Sequence, residues 1–182
     1  MYQIALASDL GFALENNQID VHYQGLLNKE GEVIGITALA RWNHPKFGII
    51  MPEEFIPIAE KSNQMVKIGK NILNTACRHL KELHGAGYNL FVLVNCTNKQ
   101  FYDPGFIETI DTILKETELE PKYLKLGLEE KCSLQDPQKS LAIINTLSSR
   151  GIQFTVEGFG SSNCLFDFLR HLPQNSLIKI NK

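Results

Sequence analysis

Between Val66 and His84 the apolar residues Ile68, Ile72, Leu73, Ala76, Leu80 and Leu83 recur three and four apart, and Lys and Arg fill the other face. That period predicts an amphipathic helix, stopped by Gly85 and Gly87. The next residues, Leu90 to Val94, form an unbroken apolar run, the pattern of a strand buried on both faces. The alternation then continues. Phe106–Thr117 returns to helical period, Tyr123–Leu128 reads as a short strand, and Pro137–Arg150 as a helix with Gly151 as its stop. Ile152–Val156 predicts a strand, Cys164–Leu172 a helix and Leu177–Ile180 a last strand.

Upstream, Asp9–Asn17 predicts a short helix, and Pro52–Lys61 another whose opening proline suits a first turn. Ile19–Leu27 and Val33–Trp42 read as two strands across the turn sequence Asn28-Lys29-Glu30-Gly31, hence an antiparallel hairpin. Strict strand–helix order from residue 90 onward implies parallel strands with right-handed crossovers. The expectation is an α/β chain of about six strands, either a barrel or an open sheet.

Composition narrows the class. A chain of 182 residues, 43% hydrophobic, buries one substantial core, so a single domain spanning 1–182 is expected. Charged residues are 21% and the net charge is -2, with no long basic run, which gives no electrostatic ground for binding a nucleic-acid duplex. The apolar stretches fall short of the ~20 residues of a membrane-spanning helix. The segment Met1–Leu14 carries Asp9 and no basic start, unlike a signal peptide. Cys77, Cys96, Cys132 and Cys164 lack metal-site spacing and read as reduced thiols. A cytoplasmic protein with no membrane contact is expected.

In α/β folds chemistry collects where strands end. The strand-end sequences here are Tyr23-Gln24, Thr37-Ala38-Leu39-Ala40-Arg41-Trp42, Asn95-Cys96-Thr97, Leu126-Gly127-Leu128-Glu129-Glu130, Val156-Glu157-Gly158-Phe159-Gly160 and Ile178-Lys179-Ile180-Asn181. Together with Arg41-Trp42-Asn43-His44-Pro45, with the run from Pro52 to Glu60, and with Ile68-Gly69, they resemble the EAL domain family in unbroken order from about Leu10 to Asn181. The resemblance implies a TIM-like (β/α) barrel whose second strand runs antiparallel to the rest or nearly so, in keeping with the early hairpin. It also implies hydrolysis of one phosphodiester bond of cyclic di-GMP by two divalent cations, Mg or Mn, held among acidic side chains.

Carried over residue by residue, the resemblance implies a depleted metal site. The Glu of the family's name-giving triplet is Thr37, the Glu opening its E-x-T-E motif is Gly127, and its paired acids are Glu157 and Gly158. The Asp after the family's Lys is Asn181. What survives is Asn95 and Glu157 as remnants of the metal ligands, and Glu130 and Lys179 as remnants of the catalytic set. Gln24, Leu39 and Arg41 match positions that line the dinucleotide groove. The family's last Glu ligand and final strands fall beyond Lys182, so the barrel is expected to be incomplete.

The resulting expectation is a non-catalytic EAL-like domain in bacterial cyclic di-GMP signalling, a nucleotide sensor or a protein-interaction regulator. No catalytic residue, metal or cofactor is expected, with Mg or Mn needed only for residual activity. Two alternatives stand beside it: a cyclic di-GMP phosphodiesterase of weak or metal-rescued activity, and a regulator that binds a protein partner without the nucleotide. A competing structural reading makes Trp42 a packed strand-end residue and Gln24 a surface amide. Two open sheet edges are templates for pairing, so a homo-oligomer is expected.

Overall fold

The computed structural model describes residues 2–129, 136–157 and 177–179. The chain opens with α1 (Tyr2–Ala13), followed by β1 (Ile19–Leu27), β2 (Val33–His44) and a short β3 (Gly48–Ile50). Helices α2 (Pro52–Lys61) and α3 (Met65–Gly85) lead to β4 (Phe91–Cys96). Then come α4 (Asn98–Phe101), α5 (Phe106–Thr117), a 3₁₀ turn at Pro121–Tyr123, β5 (Leu124–Glu129), α6 (Pro137–Ser148), β6 (Gln153–Glu157) and β7 (Leu177–Lys179). The helix predicted at Cys164–Leu172 lies outside the described residues.

The first helix sits earlier than Asp9–Asn17. Leu6, Leu10 and Ala13 form its buried stripe. The chain then turns at Asn17, whose φ of 51° suits asparagine in the left-handed region, and Gln18 N–H closes the end onto the Ala13 carbonyl at 2.8 Å. The hairpin turn behaves as its sequence predicts. Gly31 takes φ 84°, and Asn28 Oδ1 accepts the N–H groups of Glu30 and Glu32.

The strands make one sheet in the order β1-β2-β4-β5-β6-β7, with β3 added beside β2. The sheet therefore has seven strands rather than six; β3 pairs only over Trp42–His44 and is too short to announce itself by alternation. The strands antiparallel to β2 are β1 and the short β3; the second strand itself runs with the parallel set. β2 runs parallel to β4, from Gly35↔Phe91 to Ala38↔Val94, because α2 and α3 form the crossover between them. A tight hairpin can only join antiparallel strands, so β1 and β3, each joined to β2 by a short turn, run against it. Among the described residues β1 and β7 are the free ends of the sheet.

Side chains alternate across the sheet with the period of two that strands impose. Ala38, Ala40 and Trp42 of β2, Val92, Val94 and Cys96 of β4, Leu124, Leu126 and Leu128 of β5, and Phe154 and Val156 of β6 are buried in the core with the helices. Each large apolar side chain buried this way contributes about 1.5–3 kcal/mol. Thr37, Leu39, Arg41, Asn95, Lys125 and Gly127 occupy the alternate positions and share the opposite face. That face carries the strand-end chemistry.

Candidate functional site

A cleft of about 530 Å³ opens where the C-terminal ends of β2, β4 and β5 meet α2, α3 and α4. Its volume lies in the range of small-molecule sites. Leu39, Asn95 and Gly127 line it from the strands, and Ile56, Met65 and Ile72 form an apolar wall from the helices. Glu53, Glu60, Thr97 and Gln100 add polar groups.

The segment after Asn95 is held by a capping box. Gln100 Oε1 accepts the Thr97 N–H at 3.3 Å and the Thr97 hydroxyl at 3.4 Å, which fixes the start of α4. Gly69 lets α3 approach this point, since a Cβ there would lie 1.7 Å from Gln100 Nε2. Lys99 ties α4 to the α2–α3 turn, donating to Asn63 Oδ1 at 2.7 Å and to the Glu60 carbonyl. The Thr-x-x-Gln spacing is a readable sequence signal for this cap. Its role in walling the cleft is not, because it depends on where α3 crosses.

The sheet register places Asn95 beside Gly127, and Gly127 beside Thr155. Asn95 leans over the glycine: a Cβ built on Gly127 would sit 2.1 Å from Asn95 Oδ1 and 3.1 Å from its Cγ. The amide thus fills the volume where any side chain at position 127 would begin.

Gln24 and Arg41 lie on the same sheet face without lining the cleft. Gln24 is exposed and pairs across the hairpin with the buried Thr37; Arg41 pairs with Asp20. The Arg41 guanidinium donates from Nη1 to the Ala40 carbonyl at 2.7 Å, and no carboxylate of the described residues forms an ion pair with it. Asp20 turns its carboxylate to the backbone N–H of Val21, at 2.7 Å. Beside Arg41, Trp42 is fully buried and donates Nε1–H to Gln18 Oε1, so its role is packing.

Deeper on the same face, Lys125 Nζ stands 3.6 Å above the Phe91 ring centroid, and burial holds its pKa below the usual lysine range. Phe91 in turn covers Gly35, where a Cβ would come within 2.5 Å of the ring. Of the remaining predicted residues, Glu157 and Lys179 pair in register through their backbones, and Glu130 lies outside the described residues. Among the described residues no three His, Cys, Asp or Glu side chains converge as a metal cluster, and no helix is long and apolar enough to cross a membrane.

The EAL domain profile matches residues 7–182. The chain belongs to the EAL domain family. This EAL domain is 36% identical over 177 residues to the bifunctional diguanylate cyclase/cyclic di-GMP phosphodiesterase MucR of Pseudomonas aeruginosa, covering 96% of the present chain and 26% of MucR. It is 29% identical over 177 residues to the cyclic di-GMP phosphodiesterase NbdA of the same organism, covering 96% of this chain and 23% of NbdA. The chain thus spans about a quarter of the length of these curated relatives. Among solved structures, the phosphodiesterase PaMucR in complex with c-di-GMP superposes with a TM-score of 0.93 at 35% identity, covering 97% of this chain and 72% of that one. The mostly parallel sheet described above therefore matches the EAL domain's TIM-like architecture. At the described strand ends this EAL domain offers a hydroxyl at Thr37, an amide at Asn95 and no side chain at Gly127.

Proposed function

We propose that residues 1–182 form a single non-catalytic EAL domain that binds cyclic di-GMP in bacterial signalling and does not cut it. The observation that carries this reading is the charge inventory of the strand ends. Two divalent cations bring four positive charges and call for several carboxylate oxygens. Thr37, Asn95 and Gly127 supply none of them. Glu157 alone cannot replace the set, and its extra methylene misplaces a carboxylate for rigid Mg²⁺ geometry. The residues here do not fit a pair of cations.

An anion is better served. Arg41 has no carboxylate partner among the described residues, and its planar fork suits a phosphate. Gln24 stands exposed on the same face, and Leu39 links that face to the cleft. In this reading Gln24, Leu39 and Arg41 bind the ligand, while Asn95, Glu130, Glu157 and Lys179 are remnants without catalytic duty. The relatives' names support the choice of nucleotide. The domain acts in the cytoplasm, where that nucleotide is made.

Titration calorimetry with cyclic di-GMP tests the reading, with Arg41→Ala weakening the interaction. Absence of heat up to high micromolar ligand would sink it. A second reading, a protein-interaction regulator, draws on the exposed apolar side chains Phe47, Ile49 and Met51, which follow one another along and beside β3.

A further inference from the structure

We propose that a crevice between α3, α4 and α5, behind the cleft wall, is a site for one bound water molecule, which accepts a hydrogen bond from Gln100 Nε2 and donates one to the Asp103 carboxylate. The inference does not depend on nucleotide binding.

Gln100 is 4% exposed and is the residue that the crevice and the cleft share. Its amide has a fixed orientation. A backbone N–H can only donate, so the atom that meets the Thr97 N–H at 3.3 Å is Oε1, which also accepts the Thr97 hydroxyl at 3.4 Å. Nε2 is therefore turned toward α3, over Gly69, where a Cβ would lie 1.7 Å from it. Among the described residues no acceptor meets its two hydrogens. Buried donors of this kind are almost always satisfied, by protein or by ordered water.

A second observation points to the same place. Lys70 of α3 and Asp103, in the turn between α4 and α5, line the crevice with Gln100. They carry opposite charges, yet no direct ion pair joins them. Asp103 Oδ1 accepts the Gly105 N–H at 2.9 Å, which holds the carboxylate in place and leaves Oδ2 as a second acceptor. Leu73 and Phe106 add an apolar wall.

Size and polarity select the occupant. The crevice measures about 10 Å³, and a single water requires about 10–15 Å³. A phosphate or an organic ligand is too large. A metal cation is disfavoured, because Lys70 and the Gln100 amide both present positive hydrogens. Water both accepts and donates, so it meets the donor at Gln100 and the acceptor at Asp103 together. It thereby ties the amide that caps α4 to the start of α5 and steadies the cleft wall from behind.

Nuclear Overhauser spectroscopy of the 182-residue chain tests the site in solution. The Gln100 side-chain amide protons show a cross-peak to water, with the sign that a long-resident molecule gives. Thr109→Val, which removes the exchangeable hydroxyl lining the crevice, keeps the cross-peak. Asp103→Ala weakens it. Absence of the cross-peak in the wild type, its loss in Thr109→Val, or an unchanged cross-peak in Asp103→Ala would each overturn the bridge. Should Asp103→Ala not fold, a crystal structure of the wild type decides. A water within hydrogen-bond distance of both Gln100 Nε2 and Asp103 Oδ2 supports the site, and a dry crevice, or Lys70 Nζ closed directly onto Asp103, refutes it.

Discussion

The buried imidazole of His44 donates Nε2–H to the Asp9 carboxylate at 3.1 Å, joining the end of β2 to α1. The tautomer follows from the other nitrogen: Nδ1 accepts the backbone N–H of Lys46 at 3.1 Å, which leaves the proton on Nε2. The ring also meets Trp42 edge-on, with centroids 5.0 Å apart. This histidine of the Arg-Trp-x-His-Pro signature is a structural clasp.

His44→Ala removes a packed ring and two hydrogen bonds, and lowers stability by about 2–4 kcal/mol. Asp9→Asn lowers it by no more than about 1 kcal/mol, because the carboxylate is half-exposed and water screens the pair. Urea denaturation of both variants measures the difference; equal effects would contradict this account.

Alkaline pH should unfold the domain through the half-buried Tyr23 phenol and the buried Cys77 thiol. Burial first, then the charge of Asp20, pushes the Tyr23 phenol from 10.0 up to about 12, and burial pushes the Cys77 thiol from 9.0 up to about 12. Both bind their protons more tightly when folded. The stability they carry is therefore complete below their unfolded pKa values and is lost as pH rises through about 9 to 12. Tyr23→Phe loses the hydrogen bond to His79 Nδ1, which spans 2.8 Å, and shows a shallower alkaline decline. Denaturant midpoints across pH 8 to about 12 check this window. Cys77 stays unreactive toward thiol reagents until unfolding.

Gly35→Ala should destabilise by about 1–3 kcal/mol through overpacking, since three atoms of the Phe91 ring would lie 2.5–2.7 Å from the new Cβ. Denaturant unfolding gives the value. A neutral effect would place the ring elsewhere and dissolve the Lys125 stack upon it.

Turnover of cyclic di-GMP should be undetectable with Mg²⁺ and with excess Mn²⁺. Hydrolysis that disappears in Asn95→Ala would restore the phosphodiesterase reading.

Light scattering of the 182-residue chain should report a dimer or larger species, because β1 and β7 end the described sheet with unpaired edges. A monodisperse monomer would count against edge pairing. Asn28 and Gly31 hold the hairpin irrespective of assembly, so changes there should alter stability before association.

Much of the fold was legible because its signals are local. The stripe of Ile68, Ile72, Leu73, Ala76 and Leu80 is a helix face in sequence and in space. Gly151 ends α6 with φ 99° because only glycine takes that conformation without strain. The helix before β1 was misplaced by several residues, since Asn16 and Asn17 favour a turn while Leu6 and Leu10 find their partners only in the tertiary core. The odd strand was also misassigned: β1 or β2 could be the reversed one until α2 and α3 are seen to carry β2 into parallel pairing with β4.

The same division holds at the cleft. The sequence by itself carried the family resemblance and the identities of the strand-end residues Thr37, Leu39, Arg41, Asn95 and Gly127, because residue identity at a motif position needs no coordinates. Only the tertiary structure decided that Asn95 fills the space above Gly127, and that Leu39 and Asn95 face the cleft while Gln24 and Arg41 stand beside it. These are contacts between strands far apart in the chain. Register and side-chain rotamer set them, and neither is written in the local pattern of hydrophobic and polar residues.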